Sequence, residues 1–384
     1  MIKLVTDTIS NKEIDTLTDW LKTYPRLTKG EQTEIFEKGW SMWVGRKYSV
    51  FVNSGSSANL AMMYALKLSG RMKNDKVIVP CVSWTTTVSP VIQLGMLPIP
   101  CEASIDNLGL DTVHFEKLCQ EHNPACVMIV HVLGIPNDMR EILRICEKYN
   151  VILLEDSCES VGSKYENKTT GTFGLVATFS TYYGHHFSTI EGGLLSTDDF
   201  EMYEIMKSLR SHGWSRDLSE ETRNRLRVEH NVDKFRDLYT FYHPGFNLRS
   251  TEIQAFLGVN QLKELDSKNE IRYSNLLKYD SLIENSFWKV KFDSFASNFA
   301  YPIIHPKKDE IVRKLEEGGV ECRPLVCGNI ARQPYFEKMY GKKRYKIADM
   351  VHDQGLYVPN NPSMEEEDIP YICSIVNEVT RKTI

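Results

Sequence analysis

No run of about 18 uninterrupted apolar residues occurs in the 384-residue chain, so the sequence offers no membrane-spanning helix. The opening residues, MIKLVTDTISNKE, lack the apolar core of a secretory leader, and the expectation is a cytoplasmic protein. Surplus positive charge is also missing. With 46 Lys+Arg against 51 Asp+Glu the formal net charge is −5, which argues against a nucleic-acid-binding protein but allows a local basic pocket for a phosphorylated substrate. Nine cysteines are present, yet none form a C-x-x-C pair. The nearest two, Cys322 and Cys327, are separated by four residues and have no second pair to complete a zinc or iron–sulfur site. An odd count without a leader argues against a disulfide framework, so reduced, mostly buried thiols and no metal are expected. Internal repeats and low-complexity stretches are absent as well. What the chain does have is 42% hydrophobic and 10% aromatic residues, enough for one large and one smaller domain.

Hydrophobic patterning supplies the organisation. Ser10 and Glu13 have capping-box spacing ahead of a helix marked by Ile14, Leu17 and Leu21. A second helix is expected over 31–44. Seven short β-rich runs follow at 49–53, 76–80, 97–101, 125–130, 151–155, 176–180 and 193–196, with helix-length segments such as 56–68 and 140–148 between them. Near-continuously apolar strands alternating with helices predict a mainly parallel sheet covered on both faces. Beyond a helix over 252–265 the pattern turns to charged helices and short β-like pieces at 288–292 and 300–304. The expected division is a large domain over 1–260 and a small one over 261–384, on which the N-terminal helix would pack. The polar stretch 215–234 reads as a mobile loop near a site or a solvated excursion.

Three segments carry chemistry. Asn53-Ser54-Gly55-Ser56-Ser57-Ala58-Asn59 follows a strand and opens a helix, which makes it either a phosphate cradle of free N–H groups or simply a serine-capped turn. The strand 151–155 ends in Glu155, Asp156 and Glu159, at the edge where open α/β sheets place ligands. A carboxylate there serves a protonated ring nitrogen, or caps a helix. His185 and His186 lie between two strands, ahead of Glu191-Gly192-Gly193. Adjacent histidines point apart, so at most one serves a site, and their spacing is wrong for helical zinc binding.

The ordered set SGSSANL (54–60), PCVSWTTT (80–87), LLEDSCES (153–160), GTFGLVATFS (171–180), HHFSTIEGG (185–193), RSHGW (210–214), PGFNLRSTEIQAFLGVNQL (244–262) and ECRPLVCGN (321–329) resembles the pyridoxal-phosphate (PLP) sugar aminotransferase and dehydratase family. The resemblance implies an α/β fold, PLP-dependent transferase fold type I, with a mainly parallel seven-stranded sheet in the large domain and a smaller C-terminal α/β domain. Aminotransferases of this family carry their cofactor-binding lysine six residues before the Glu of E-G-G, and here that position is His185. Histidine there marks the sugar 3-dehydratases. The cluster-dependent dehydrases of the group use a C-x-C pair, which this chain lacks.

By this resemblance, Gly55, Ser56, Ser57 and Ser180 would hold the PLP phosphate, joined by Asn247 from a second subunit of a homodimer. Trp84 would stack on the pyridine ring, Asp156 would pair with its nitrogen and Glu159 would sit by its hydroxyl. His185 would be the catalytic base, working with PLP and pyridoxamine phosphate (PMP) and with L-glutamate as amino donor. His212, Trp214, Arg216 and Arg249 would bind a nucleotide-linked 4-keto-6-deoxy sugar, expected to be GDP-4-keto-6-deoxymannose. The product would be a 3-deoxy sugar on the way to colitose and bacterial O-antigen lipopolysaccharide. Two rivals are a 4-aminotransferase of the same fold and a catalytically inactive PLP-fold binding protein. Intact Asp156, phosphate cradle and Trp84 speak against the second.

Overall fold

The computed structural model describes residues 1–285 and 287–381. Strands β1 (Tyr48–Val52), β2 (Lys76–Pro80), β3 (Leu97–Cys101), β4 (Cys126–Val130) and β5 (Ile152–Asp156) build the main sheet. A hairpin, β6 (Lys164–Tyr165) with β7 (Lys168–Thr169), precedes its last two strands, β8 (Val176–Ser180) and β9 (Gly193–Thr197). The sheet order is β1-β9-β8-β5-β4-β2-β3, and both pairings of β9 are antiparallel while those from β8 to β3 are parallel.

Alternate residues of each strand feed separate cores, as pleating requires. Val50 and Val52 join Val77, Val79, Met128 and Leu154 on one face. Phe51 packs with Phe36 and Trp40 on the other, where Ile78, Val127 and Ile129 meet the helices over 112–122 and 139–149. That two-sided burial explains the near-continuous apolar runs read in the sequence.

Residues 300–359 supply a three-stranded antiparallel sheet, β10 (Ala300–Ile304), β11 (Arg323–Pro324) and β12 (Gly355–Pro359), ordered β10-β12-β11. Helices Leu265–Leu282 and Asp368–Thr380 pack on it through Leu276, Tyr279, Ile372 and Val376. The same core takes in Val130, the last residue of β4, and Val132 and Leu133, which follow that strand. The turn after β4 is thus clamped between the two sheets, and a cavity opens beside it.

Three expectations differ in detail. The N-terminal helix Asn11–Leu21, with its Ser10–Glu13 capping box, packs on Glu252–Gln261 rather than on the small sheet: Trp20 stacks on Phe256 at 4.8 Å and Gln261 donates to Glu13. It is the extended stretch before that helix that reaches the small sheet's end, where Ile2 donates to the Gly319 carbonyl. Residues 288–292 form no strand: the segment is tied to the 105–106 turn, with the buried Trp288 indole donating to the Ile105 carbonyl (2.7 Å) and the Lys291 amide to the Asp106 carbonyl (2.8 Å). The polar stretch 215–234 contains a helix, Glu220–Glu229, capped by Ser219 and led by two glutamates. Cap and dipole support it without an apolar stripe, which is why periodicity did not reveal it.

Candidate active site

A cavity of about 410 Å³ lies at the carboxyl ends of β4, β5 and β8, lined by Val130, Asp156 and Ser180 from those strand ends. This is the edge at which parallel sheets place ligands. Strand alternation sends neighbouring carboxylates of β5 to opposite sides. Glu155 turns to the interior, where it accepts from the Gly171, Phe173 and Gly174 amides and meets His131 at 3.3 Å; its role is structural. Asp156 turns to the cavity. One of its oxygens accepts from Asn59 Nδ2 and Thr87 Oγ1, both at 2.8 Å, and the other from the Cys158 amide at 3.1 Å. Asn59 is itself fixed by the Thr178 hydroxyl at 2.5 Å.

The Ser54 turn begins helix Gly55–Leu68, and its hydroxyl accepts from the Ser57 amide at 3.0 Å. The helix's first N–H groups have no intrahelical acceptor and face the cavity at Gly55 and Ser56. Glycine is required at 55, since a Cβ there would stand 2.8 Å from Ser180 Cβ and 3.1 Å from Cys158 Sγ. Ser56 is exposed and reaches Thr86 at 3.1 Å, whereas the Ser57 hydroxyl accepts from Ser54 and does not line the cavity. Trp84 stands at the N-cap of helix Thr85–Gln93 with 54% of its surface exposed, an aromatic face left bare on the cavity wall.

His185 lines the same cavity, and its Nδ1 is buried without a partner. Burial holds the imidazole well below its ordinary value, at about 4; Asp156 opposes that shift and Arg272 adds to it. His186 turns away, fully buried, with Nε2 against the Ser297 carbonyl at 2.8 Å. Only one of the two histidines therefore faces the cavity, in keeping with their adjacency. Glu159 is half-buried at the wall and accepts from the Leu133 amide at 2.7 Å; burial raises its carboxyl to about 7.

The remaining sequence candidates lie elsewhere. Asn247 is exposed and accepts from Arg249 Nε at 3.1 Å, while Arg249 reaches His212 at 3.2 Å. Arg249, Trp214 and Arg216 line a smaller cavity of about 190 Å³ with Arg26 and Lys29, and the Arg216 guanidinium lies 5.4 Å from the Trp214 ring. Sequence reasoning missed Asn59, Thr86 and Thr87, although all three sit inside the motifs that it quoted. It also missed Phe299 and Tyr357, which line the cavity from the far part of the chain with no local signal.

A free-N–H cradle closed to any Cβ, a carboxylate held by three donors, a bare indole and an unpartnered imidazole form a donor set that fits a phosphorylated pyridine cofactor. Gly55→Ala is expected to destabilise the protein by about 1–3 kcal/mol through overpacking and to weaken PLP binding at least tenfold. Denaturant unfolding together with cofactor titration checks both.

The fold and site define a PLP-type enzyme architecture, and the chain belongs to the DegT/DnrJ/EryC1/StrS aminotransferase family, whose model matches residues 7–377. More particularly, it is similar to GDP-4-keto-6-deoxy-D-mannose 3-dehydratase of Yersinia pseudotuberculosis, 35% identical over 367 residues covering 91% of this chain and 92% of that one. Among solved structures, GDP-4-keto-6-deoxy-D-mannose-3-dehydratase of Escherichia coli with bound hydrated PLP matches with a TM-score of 0.89 and 31% identity over 98% of this chain and 99% of that chain. A GDP-4-keto-6-deoxymannose-3-dehydratase structure with a trapped PLP–glutamate geminal diamine matches with the same TM-score and identity, covering 98% and 100%. The family resemblance and the fold type read from the motifs are both borne out.

Proposed function

We propose that this chain is a PLP/PMP-dependent, glutamate-consuming 3-dehydratase of a nucleotide-linked 4-keto-6-deoxy sugar, GDP-4-keto-6-deoxymannose being the substrate that the relatives' names point to. The observation that carries this reading is His185 in the cavity, with no lysine among the described residues that line it. A family aminotransferase needs that lysine, so the 4-aminotransferase alternative is the weaker one.

Ser180, Ser56 and the free amides at Gly55 and Ser56 would hold the cofactor phosphate; Trp84 would cover the ring, with Asp156 at its nitrogen and Glu159 near its hydroxyl. Once bound, the cofactor supplies an amine for the C4 ketone and a ring that takes up electrons released beside it. His185, uncharged at neutral pH, accepts the proton lost from carbon and returns it to the C3 hydroxyl oxygen as the C3–O bond breaks. Imidazole forms no lasting imine, so water ends the cycle with ammonia released. Overall, L-glutamate and the 4-keto sugar give 2-oxoglutarate, ammonia and the 3-deoxy-4-keto sugar.

A shared homodimer site belongs to the same proposal. What supports it is that Asn247, His212 and Arg249 cluster at the surface, outside the cavity of their own chain. Residues 1–260 would form the cofactor-binding domain and 261–384 the smaller one.

The test incubates the protein with PLP, L-glutamate and GDP-4-keto-6-deoxymannose and weighs the product. A sugar nucleotide one oxygen lighter, with ammonia released, is expected. A 4-amino sugar would overturn the dehydratase reading.

A further inference from the structure

Helix Leu265–Leu282 carries a cation into the interior. Arg272 is 3% exposed, and no carboxylate lies within ion-pair distance of it among the described residues. Its guanidinium is held by carbonyls alone: Nη1 donates to Phe299 (3.2 Å) and Asn360, Nη2 makes a long bond to His185 (3.5 Å), and Nε meets no acceptor. Buried charge without a counter-ion is costly, and carbonyl dipoles repay only part of that cost.

The three carbonyls belong to three separate segments: the His185 loop, the entry to β10 and the exit from β12. Asn360 locks the junction by donating to the Arg272 carbonyl (3.0 Å) and to Asn298 (2.9 Å), and Asn298 continues to the Leu133 carbonyl (2.7 Å). Leu133 is the residue whose amide holds Glu159, so one connected set of bonds joins Arg272 to the cavity wall as well as to the His185 main chain.

The groups facing the His185 ring decide what this charge does. Asp156 and Cys158 approach from the end of β5, Tyr182 and His186 belong to its own loop, and Arg272 comes from the helix. Glu159 and Tyr357 line the same cavity. Asp156 favours an imidazolium, and among the described residues Arg272 is the cation set against it.

We infer that Arg272 is a positioning residue that acts through His185: it grips the loop bearing the imidazole and supplies the buried positive charge that disfavours a second one on that ring. The inference rests on the reading of His185 as the proton-transferring group. With Arg272 neutralised, burial still favours the neutral ring, but no cation is left to offset Asp156, and the imidazolium form of His185 gains relative to the neutral one.

The test follows the His185 side-chain signal by NMR in cofactor-free, full-length protein labelled at histidine, the signal being identified by its loss in His185→Asn. In the unmodified protein it is expected to titrate well below the ordinary imidazole range. In Arg272→Met the protonation equilibrium should shift about tenfold toward imidazolium, and Arg272→Lys should return it toward the starting value. A purely structural tie would lower the thermal midpoint in both variants without moving the titration. A folded Arg272→Met with an unmoved His185 signal overturns the inference. So does an unmodified protein in which His185 titrates at or above its ordinary value, and that measurement decides the matter even if Arg272→Met does not fold. Formation of a 4-amino sugar would sink the dehydratase reading while leaving these titrations standing, so the two failures are distinguishable.

Discussion

His185→Lys is expected to bind PLP covalently, through a bond that borohydride reduces, and to lose 3-dehydration by about 10²- to 10⁴-fold. The physical reason lies in the surroundings of position 185. The side chain enters the cavity beside Asp156, and Nδ1 has no protein partner to forfeit. A lysine amine there would be desolvated as the imidazole is, and the buried Arg272 cation would disfavour its charge further. An amine kept neutral by burial is a nucleophile, and so it would capture a cofactor aldehyde that imidazole leaves uncaptured. The same change removes the group that returns a proton to the C3 oxygen. Intact-mass analysis after borohydride reads the first consequence and ammonia release the second. Dehydration at an unchanged rate would remove His185 from the reaction.

Much of the scaffold around that residue was legible from local pattern. The seven strands of the main sheet lie within a residue or so of the apolar runs that mark them, because burial on both faces demands such runs. Ser10 and Ser54 announce their helices by capping, a contact that spans only three residues. Asp156 and His185 were legible through motifs attached to strand ends. What supports them was not. Asn59 and Asp156 are 97 positions apart, and Arg272 reaches His185 across 87, so no window of sequence contains either contact. The helix over 220–229 escaped for a different reason: its stability comes from a cap and end charges, while periodicity reports only an apolar face. The separation of Asn247, His212 and Arg249 from the cavity is likewise a product of tertiary placement, since all three stand in motifs that look continuous with the site.

Asp156→Asn is expected to lower kcat by about 10²- to 10³-fold while costing only about 1–3 kcal/mol of stability. The two effects separate because the proposed mechanism gives the carboxylate a second task beside its structural one. Structurally it is an acceptor for three donors: Asn59 Nδ2, Thr87 Oγ1 and the Cys158 amide. An asparagine has one oxygen and one NH₂ in the same space. Asn59 cannot turn over to help, because its own oxygen is committed to the Thr178 hydroxyl at 2.5 Å. The new oxygen therefore takes the Asn59 and Thr87 side, and its NH₂ faces the Cys158 amide, leaving one donor unsatisfied. That is the stability term, small because two of three bonds survive. Electrostatically the loss is larger. An amide brings no negative charge to a protonated ring nitrogen, so the electron uptake that the reaction needs is no longer sustained. The Asp156 charge that opposes Arg272 at His185 goes as well, so the imidazole of the variant is expected to be harder still to protonate. Steady-state kinetics paired with denaturant unfolding measures both quantities on one preparation. A kcat within a few-fold of the unmodified protein, at a stability lowered as predicted, would reduce Asp156 to a structural acceptor and would place the electron-sink function elsewhere in the cavity.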